Sequence, residues 1–289
     1  MIYFGPSGNP DDFYEDGNKS SDQMPLWLNR KGLNAYEYQC SKGVNIGEKK
    51  ANDIGNESDK YGIFMSIHAP YYINFASDNP INLEKSRKYL TDSMVAAVWM
   101  GAKRVVFHPG SCAGIDRNIA LERVITQVKI TLNEASDLGV DNVTICPELM
   151  GKINQVGDLD EIIAICKSDD RLIPCIDFGH LHARNFGSLN SCEDFEQVIV
   201  KLTDALGQER AKKFHCHFSR IEYTQKGGEK RHRTFDEPEY GPDFTYLVPL
   251  IYKYDLQPVF ICESNGTMAK DALKMKNLYE NFNKTVNND

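Results

Sequence analysis

No stretch of about 18 apolar residues occurs in this chain, so a membrane-spanning helix is not expected. Its start, Met1-Ile2-Tyr3-Phe4-Gly5, lacks the basic residues and long apolar run of a secretion signal. None of the eight cysteines forms a CxxC pair. Cys146, Cys175, Cys216 and Cys262 sit inside apolar strand-like runs, which reads as free buried thiols rather than a disulfide framework. The compartment expected is therefore the cytoplasm. A glycine-rich phosphate turn is also missing, because Gly5-Pro6-Ser7-Gly8 after the first strand is not that fingerprint. Positive charge is in deficit: 33 Lys and Arg against 41 Asp and Glu give a net charge of −8. That argues against a broadly basic nucleic-acid-binding surface. A local one stays open, since each bound divalent cation brings about +2 to its site.

What the chain does have is rhythm. Strand-like runs at 2–5, 35–39, 63–68, 104–108, 142–148, 172–177, 213–218 and 258–263 alternate with amphipathic stretches, among them 83–100, 119–138, 158–167, 193–206, 243–253 and 268–282. Eight strands, each followed by a helix or helical turn, predict an α/β fold of the (β/α)8 TIM-barrel type, one domain spanning residues 1–289. Residues 227–242, rich in charge and glycine, read as the longest loop, between the seventh strand and its helix.

On that frame the histidines cluster. All seven lie in segments that resemble strand ends, and five of them stand with two glutamates and one aspartate at the C-terminal side of strands three to eight, the face where barrel active sites are built. Glu148, Asp177, His217 and Glu263 would point inward from four strands and could hold one metal ion, with Glu148 bridging to a second. His68 and His108 would complete the second ion, and His180 and His232 remain for a third. Imidazole and carboxylate donors suit borderline-hard ions such as zinc or manganese. Such a cluster can clamp a phosphate oxygen and lower the pKa of water. His182 and His215, each two residues from a better-placed histidine, are expected to support the site or the core instead. Lys226, Lys230, Arg231, His232 and Arg233 gather in one rim segment, with Lys230 and Arg231 as candidate phosphate contacts.

These residues resemble the endonuclease IV family of apurinic/apyrimidinic endonucleases, within the xylose isomerase-like TIM barrels. The resemblance runs over about residues 1–280 and is carried by Ile67-His68 with Tyr71 and Asn74, Leu83-Glu84-Lys85-Ser86-Arg87, Phe107-His108-Pro109-Gly110-Ser111, Pro147-Glu148, Asp177-x-x-His180, His217 and Glu263. It implies an endonuclease holding zinc (two or three ions, or manganese) that cuts damaged double-stranded DNA on the 5′ side of an abasic site, as a monomer. It further implies that Glu148 and Glu263 are catalytic, that the eight residues above are ligands, and that Tyr71 packs near the extruded abasic nucleotide.

The chain departs from that family in three places. Lys230 stands where an aspartate is usual, two residues before His232, with Glu229 one residue further back. After the second strand, where the family inserts a loop into the DNA stack, only Gln39 and Lys42 in Tyr36–Gly43 could serve. The usual His-x-Asn-Asp reads His217-Phe218-Ser219-Arg220. The competing reading is a one-metal sugar isomerase or epimerase built on Glu148, Asp177, His217 and Glu263, in which the two glutamates move a proton beside a carbonyl carbon. That chemistry has no need of His68, His108, His180 and His232 together.

Overall fold

In a computed structural model, which describes residues 2–286, the polypeptide curls its strands into a closed wall. The strands are β1 (Tyr3–Pro6), β2 (Ala35–Gln39), β3 (Phe64–His68), β4 (Arg104–Phe107), β5 (Thr144–Pro147), β6 (Cys175–Asp177), β7 (His215–Phe218) and β8 (Val259–Cys262). They form two parallel four-stranded halves, β2-β3-β4-β5 and β1-β8-β7-β6. Two single parallel bridges, Ser7 with Glu37 and Glu148 with Cys175, join the halves into a barrel.

Helices cover the outside, and local chemistry sets their ends. Helix Pro80–Met100 begins with proline at a position that needs no N–H donor; the Asn79 side chain accepts from Ile81 N–H, and Gly101 ends the helix at φ 66°. Asp116 caps helix Arg117–Asp137. Reciprocal capping boxes, Asp158 with Glu161 and Ser191 with Asp194, open Leu159–Lys167 and Cys192–Leu206. The final helix described is Met268–Val286. No helix among the described residues is long and apolar enough to cross a membrane.

The alternation of strand residues divides the core in two. Outward-facing Phe4 and Phe260 stack at 5.1 Å, and Phe218 meets Phe244 edge-on at 5.1 Å, all buried between sheet and helices. Inside the barrel, small apolar clusters of Ala35, Val259 and Ile261 and of Val106, Cys146 and Cys175 fill the lower part. Above them the inward positions turn polar. All eight cysteines are free.

Two expectations need correction. The segment at 227–242 does not open as loop: Gly228–Arg233 is a strand, antiparallel to Arg220–Thr224. Its many charges hide any alternation. The stretch expected as one helix over 243–253 splits into a 3-10 turn, Phe244–Tyr246, and a helix, Val248–Lys253, because Pro249 lacks an N–H to continue the first turn into the second.

The closing edge between β1 and β2 is tight. A Cβ on Gly5 would lie 1.8 Å from the Ala35 carbonyl oxygen, and that backbone atom cannot swing aside. Gly5→Ala should therefore lower the free energy of unfolding by about 3 kcal/mol, the upper end for overpacking, measured from urea unfolding curves.

Candidate functional site

The barrel mouth gathers the predicted residues around one buried carboxylate. Glu148, just past β5, is 1% exposed and takes contacts on both oxygens. His68 Nε2 and His108 Nε2 lie 3.0 and 3.1 Å from Oε2; His180 Nδ1 and His217 Nδ1 each lie 3.3 Å from Oε1. His68 donates Nδ1–H to the Ala69 carbonyl at 2.8 Å, which leaves Nε2 as the nitrogen turned towards the cavity. Ser7 Oγ donates to Glu263 Oε1 at 3.0 Å, and Ser219 Oγ is 2.8 Å from His232 Nδ1.

Four sets of donor atoms lie mutually within 4.8 Å: three at the mouth, namely His68, His108 and Glu148; Glu148, Asp177, His217 and Glu263; and His180, His232 and Glu263; and a fourth deeper in the barrel, Cys175, His215 and His217. Each could hold a divalent ion. Asp177 supplies a further sign of fit. Its Oδ1 caps helix Phe178–Arg184 by accepting His180 N–H at 2.6 Å, while its buried Oδ2 has no hydrogen-bond donor. An acceptor-only oxygen buried without a donor is costly unless a cation meets it. His180 thus sits on a short helix and not on a strand end, which turns its ring back across the mouth.

The charges support one another. Burial opposes ionisation of Glu148, but His108 and His217 outweigh it and hold the carboxyl well below the usual range. Burial likewise disfavours the His68 cation, yet Glu148 lifts its pKa to about 9. Burial raises Asp177. A metal ion entering a site so dense in acid and imidazole would have to displace protons.

The hairpin closes one side of the mouth. Lys230 is the extra residue of a β-bulge, since Glu229 pairs with Tyr223 and Arg231 with Glu222. The bulge turns Lys230 outward to pair with Glu222 and sends Glu229 inward, where Oε2 is 3.5 Å from His180 Nε2. Gly151 makes room, because a Cβ there would meet the Glu229 Cβ at 2.6 Å. The cavity at the mouth measures about 450 Å3 and is lined by Gln39, Tyr71, Lys152 and Glu229 together with His68, His108, Glu148, His180, His232 and Glu263. Larger hollows of about 650 and 690 Å3 flank helix Cys192–Leu206 but are lined by no histidine. Tyr71, 47% exposed, stands at the rim against Tyr72, with ring centroids 4.4 Å apart. Arg231 is exposed beside a neighbouring hollow that also reaches His232 and Glu263.

His182 and His215 lie outside the three sets of the mouth. His182 accepts Leu189 N–H at Nδ1 (3.2 Å) and packs edge-on to Tyr223. His215 meets Glu37 deeper in the barrel at 3.0 Å. Sequence reading passed over Glu37, Ser7 and Ser219. The one available signal was a glutamate at an inward position of β2, two residues before Gln39.

The chain is thus a (β/α)8 barrel whose C-terminal rim gathers histidine and carboxylate side chains that could hold metal ions. The family of xylose isomerase-like TIM barrels matches residues 26–278, and the chain belongs to it. It is 32% identical over 278 residues to an uncharacterized protein of Methanocaldococcus jannaschii, covering 96% of each chain. To a probable endonuclease 4 of Bacillus subtilis it is 28% identical over 225 residues, 73% of this chain and 72% of that one. Among solved structures, endonuclease IV of Thermus thermophilus superposes with a TM-score of 0.68 at 18% identity, covering 98% of this chain and 99% of that one. An L-ribulose 3-epimerase superposes with a TM-score of 0.69 at 11% identity over 99% and 97%. At those identities the superpositions show the fold alone.

Burial pushes the His182 imidazole down to about 4 from an ordinary 6.5. The unfolded chain takes up this proton first, so the stability that His182 contributes is complete above pH 6.5 and is lost as pH falls towards 4. In chelator-treated protein, His182→Gln should flatten the fall of the urea midpoint over that window. An unchanged slope would show that His182 does not carry it.

Proposed function

We propose that this protein is a zinc-dependent phosphodiesterase that cuts damaged double-stranded DNA on the 5′ side of abasic sites. The observation that carries the reading is the convergence of three donor sets on one cavity, with Glu148 and Glu263 each shared between two of them. A proton-shuttling site would need only the set of four. The likeness to probable endonuclease 4 of Bacillus subtilis supports the same reaction class.

In this reading His68, His108 and Glu148 would hold one ion, and Glu148, Asp177, His217 and Glu263 a second. His180 and His232, with Glu229 or Glu263, would hold a third. Such ions supply Lewis-acid polarisation of phosphoryl oxygens and lower the pKa of water. Glu148, ionised and fixed by four imidazoles, stays an acceptor throughout and can orient an attacking water by accepting its hydrogen bond. Glu263, anchored by Ser7, presents its other oxygen towards His232 and shares that role. Tyr71 at the rim offers an aromatic face to a displaced sugar, and Arg231 a charge to the flanking phosphate. Lys230, paired with Glu222, is the weaker phosphate contact. Gln39 lines the cavity where the family inserts its loop into DNA, while its amide is engaged by Ser7 Oγ at 2.6 Å.

The competing sugar isomerase or epimerase rests on the single set Glu148, Asp177, His217 and Glu263. Metal stoichiometry separates the two. Protein purified without chelator should carry two or three zinc or manganese ions per chain by elemental mass spectrometry; a single ion favours the isomerase. Because the bulge points Glu229 inward and Lys230 outward, Glu229→Ala should weaken retention of the third ion under dilute chelator and Lys230→Ala should leave it unchanged.

Activity supplies the second test. The zinc-loaded protein should nick a duplex containing one abasic site, leaving a 3′-hydroxyl and a 5′-deoxyribose phosphate. Glu263→Gln should cut that rate by more than about 100-fold, beyond the 10- to 100-fold typical of losing a residue behind a ligand. Turnover retained in Glu263→Gln would remove Glu263 from the site, and no incision at all would return the isomerase to first place.

A further inference from the structure

One layer below the ligand sets lies a polar group that the proposed reaction does not use. Glu37 on β2 is wholly buried. Its Oε2 accepts from Ser66 Oγ at 2.9 Å and His215 Nε2 at 3.0 Å; its Oε1 lies 3.0 Å from His217 Nε2 and 3.4 Å from Gln39 Nε2. Beneath His215, the buried Arg104 reaches Nδ1 with Nη1 at 3.5 Å and donates Nη2–H to the Lys213 carbonyl at 2.8 Å.

The direction of each hydrogen follows from what each group can do. A guanidinium only donates, so His215 Nδ1 accepts and its Nε2–H goes to Glu37. At His217 the N–H direction lies off the line to Oε1, and the contact is not a formed hydrogen bond. Yet two lone pairs held 3.0 Å apart in a dry interior would repel, so the hydrogen sits on Nε2 here as well. On the cavity side Nδ1 makes a hydrogen bond of 3.3 Å with Glu148 Oε1 and lies 3.5 Å from Glu263 Oε1; a divalent ion there would take the place of the Nδ1 hydrogen and leave Nε2–H facing Glu37.

We propose that Glu37, backed by His215 and Arg104, is a positioning residue that turns His217 Nδ1 towards the divalent ion shared by Glu148, Asp177 and Glu263. The proposal rests on the metal-site reading above and adds a residue to it. A carboxylate behind a ligating histidine fixes the ring and its tautomer and strengthens the donor. Glutamine cannot replace it. Its amide offers one oxygen and one NH2, whereas both histidines present N–H. Arg104 keeps His215 a donor, so the amide oxygen goes to His215 and the NH2 faces His217. That arrangement favours a lone pair on Nε2 and a hydrogen on Nδ1, the reverse of what the ion needs.

The test is a titration of chelator-treated protein with cobalt, followed by its visible absorption, on wild type, Glu37→Gln and Ser66→Ala, with thermal midpoints of the metal-free proteins measured alongside. Glu37→Gln should bind cobalt 10- to 100-fold more weakly with an altered spectrum. Ser66→Ala, which removes one hydroxyl from the same carboxylate, should stay within about threefold. Equal weakening in both variants would assign the effect to interior packing and overturn the proposal. Unchanged affinity and spectrum in Glu37→Gln would overturn it too while leaving the metal site standing. Wild type that binds no cobalt would overturn the metal-site reading itself. Should Glu37→Gln fail to fold, the cobalt-loaded wild type still decides: proton NMR should show a ring N–H on His217 that exchanges slowly with solvent, and its absence would sink the idea.

Discussion

Burying Glu148 as a carboxylate constrains almost everything around it. An ionised oxygen pair at 1% exposure is tolerable only with close counter-charges or donors. Four histidines meet that need from three strands and one helix, and none can move far without leaving the charge unmatched. The same residue forms one of the two single bridges that close the barrel, through its contact with Cys175. The seam between the half-sheets and the floor of the site are thus one structural unit. Asp177 repeats the device at the end of the neighbouring strand, with one oxygen spent on a helix N-terminus and the other held open.

Polar residues continue below the mouth. A barrel interior is commonly packed with branched apolar layers, yet here Glu37, Ser66, His215 and His217 occupy inward positions with zero exposure. Burial works against the Glu37 charge, and the two histidines nevertheless hold its carboxyl below the usual range. Such a group is expensive unless its partners are all in place. It therefore ties β2, β3 and β7 into one geometry more strictly than apolar side chains would, since a shifted methyl group loses little and a shifted donor loses a whole contact.

Strands were the most legible part of the sequence. Their apolar runs are short, dense and bounded by polar turns, so β2 at Ala35–Gln39 matches its expected span, and β5 and β6 begin only two or three residues late. The gathering of the candidate ligands at the mouth was legible for a related reason: a histidine or acid directly after an apolar strand has few places to go except there. Glu37 escaped because its partners lie 29, 178 and 180 residues away, beyond any local pattern. The hairpin escaped because a bulge breaks period two, so Glu229 and His232 share a face at a spacing that suggests opposite faces. His180 was placed on a strand end because nothing local announces a helix that begins on the heels of its own ligand.

The departures from the endonuclease IV pattern fall unevenly, and that bears on how specificity and metal chemistry divide in this barrel. Lys230 is displaced by the bulge while Glu229 enters. Ser219 touches His232 Nδ1 at 2.8 Å and holds that ring in place. Arg220 pairs with Asp243 at 3.0 Å and pins the base of the hairpin. Each departure beside the candidate ligands therefore has a local contact of its own. After β2, by contrast, nothing restores a DNA-intercalating loop: Gln39 is drawn inward to Ser7 and Glu37, and the exposed aromatic pair Tyr71 and Tyr72 is what the rim presents instead. A floor whose candidate ligands stay in place under an altered rim is what a barrel would show if its metal chemistry were kept while the shape of the accepted lesion changed, because ions held there would contact only the phosphate and the rim alone would touch what surrounds it.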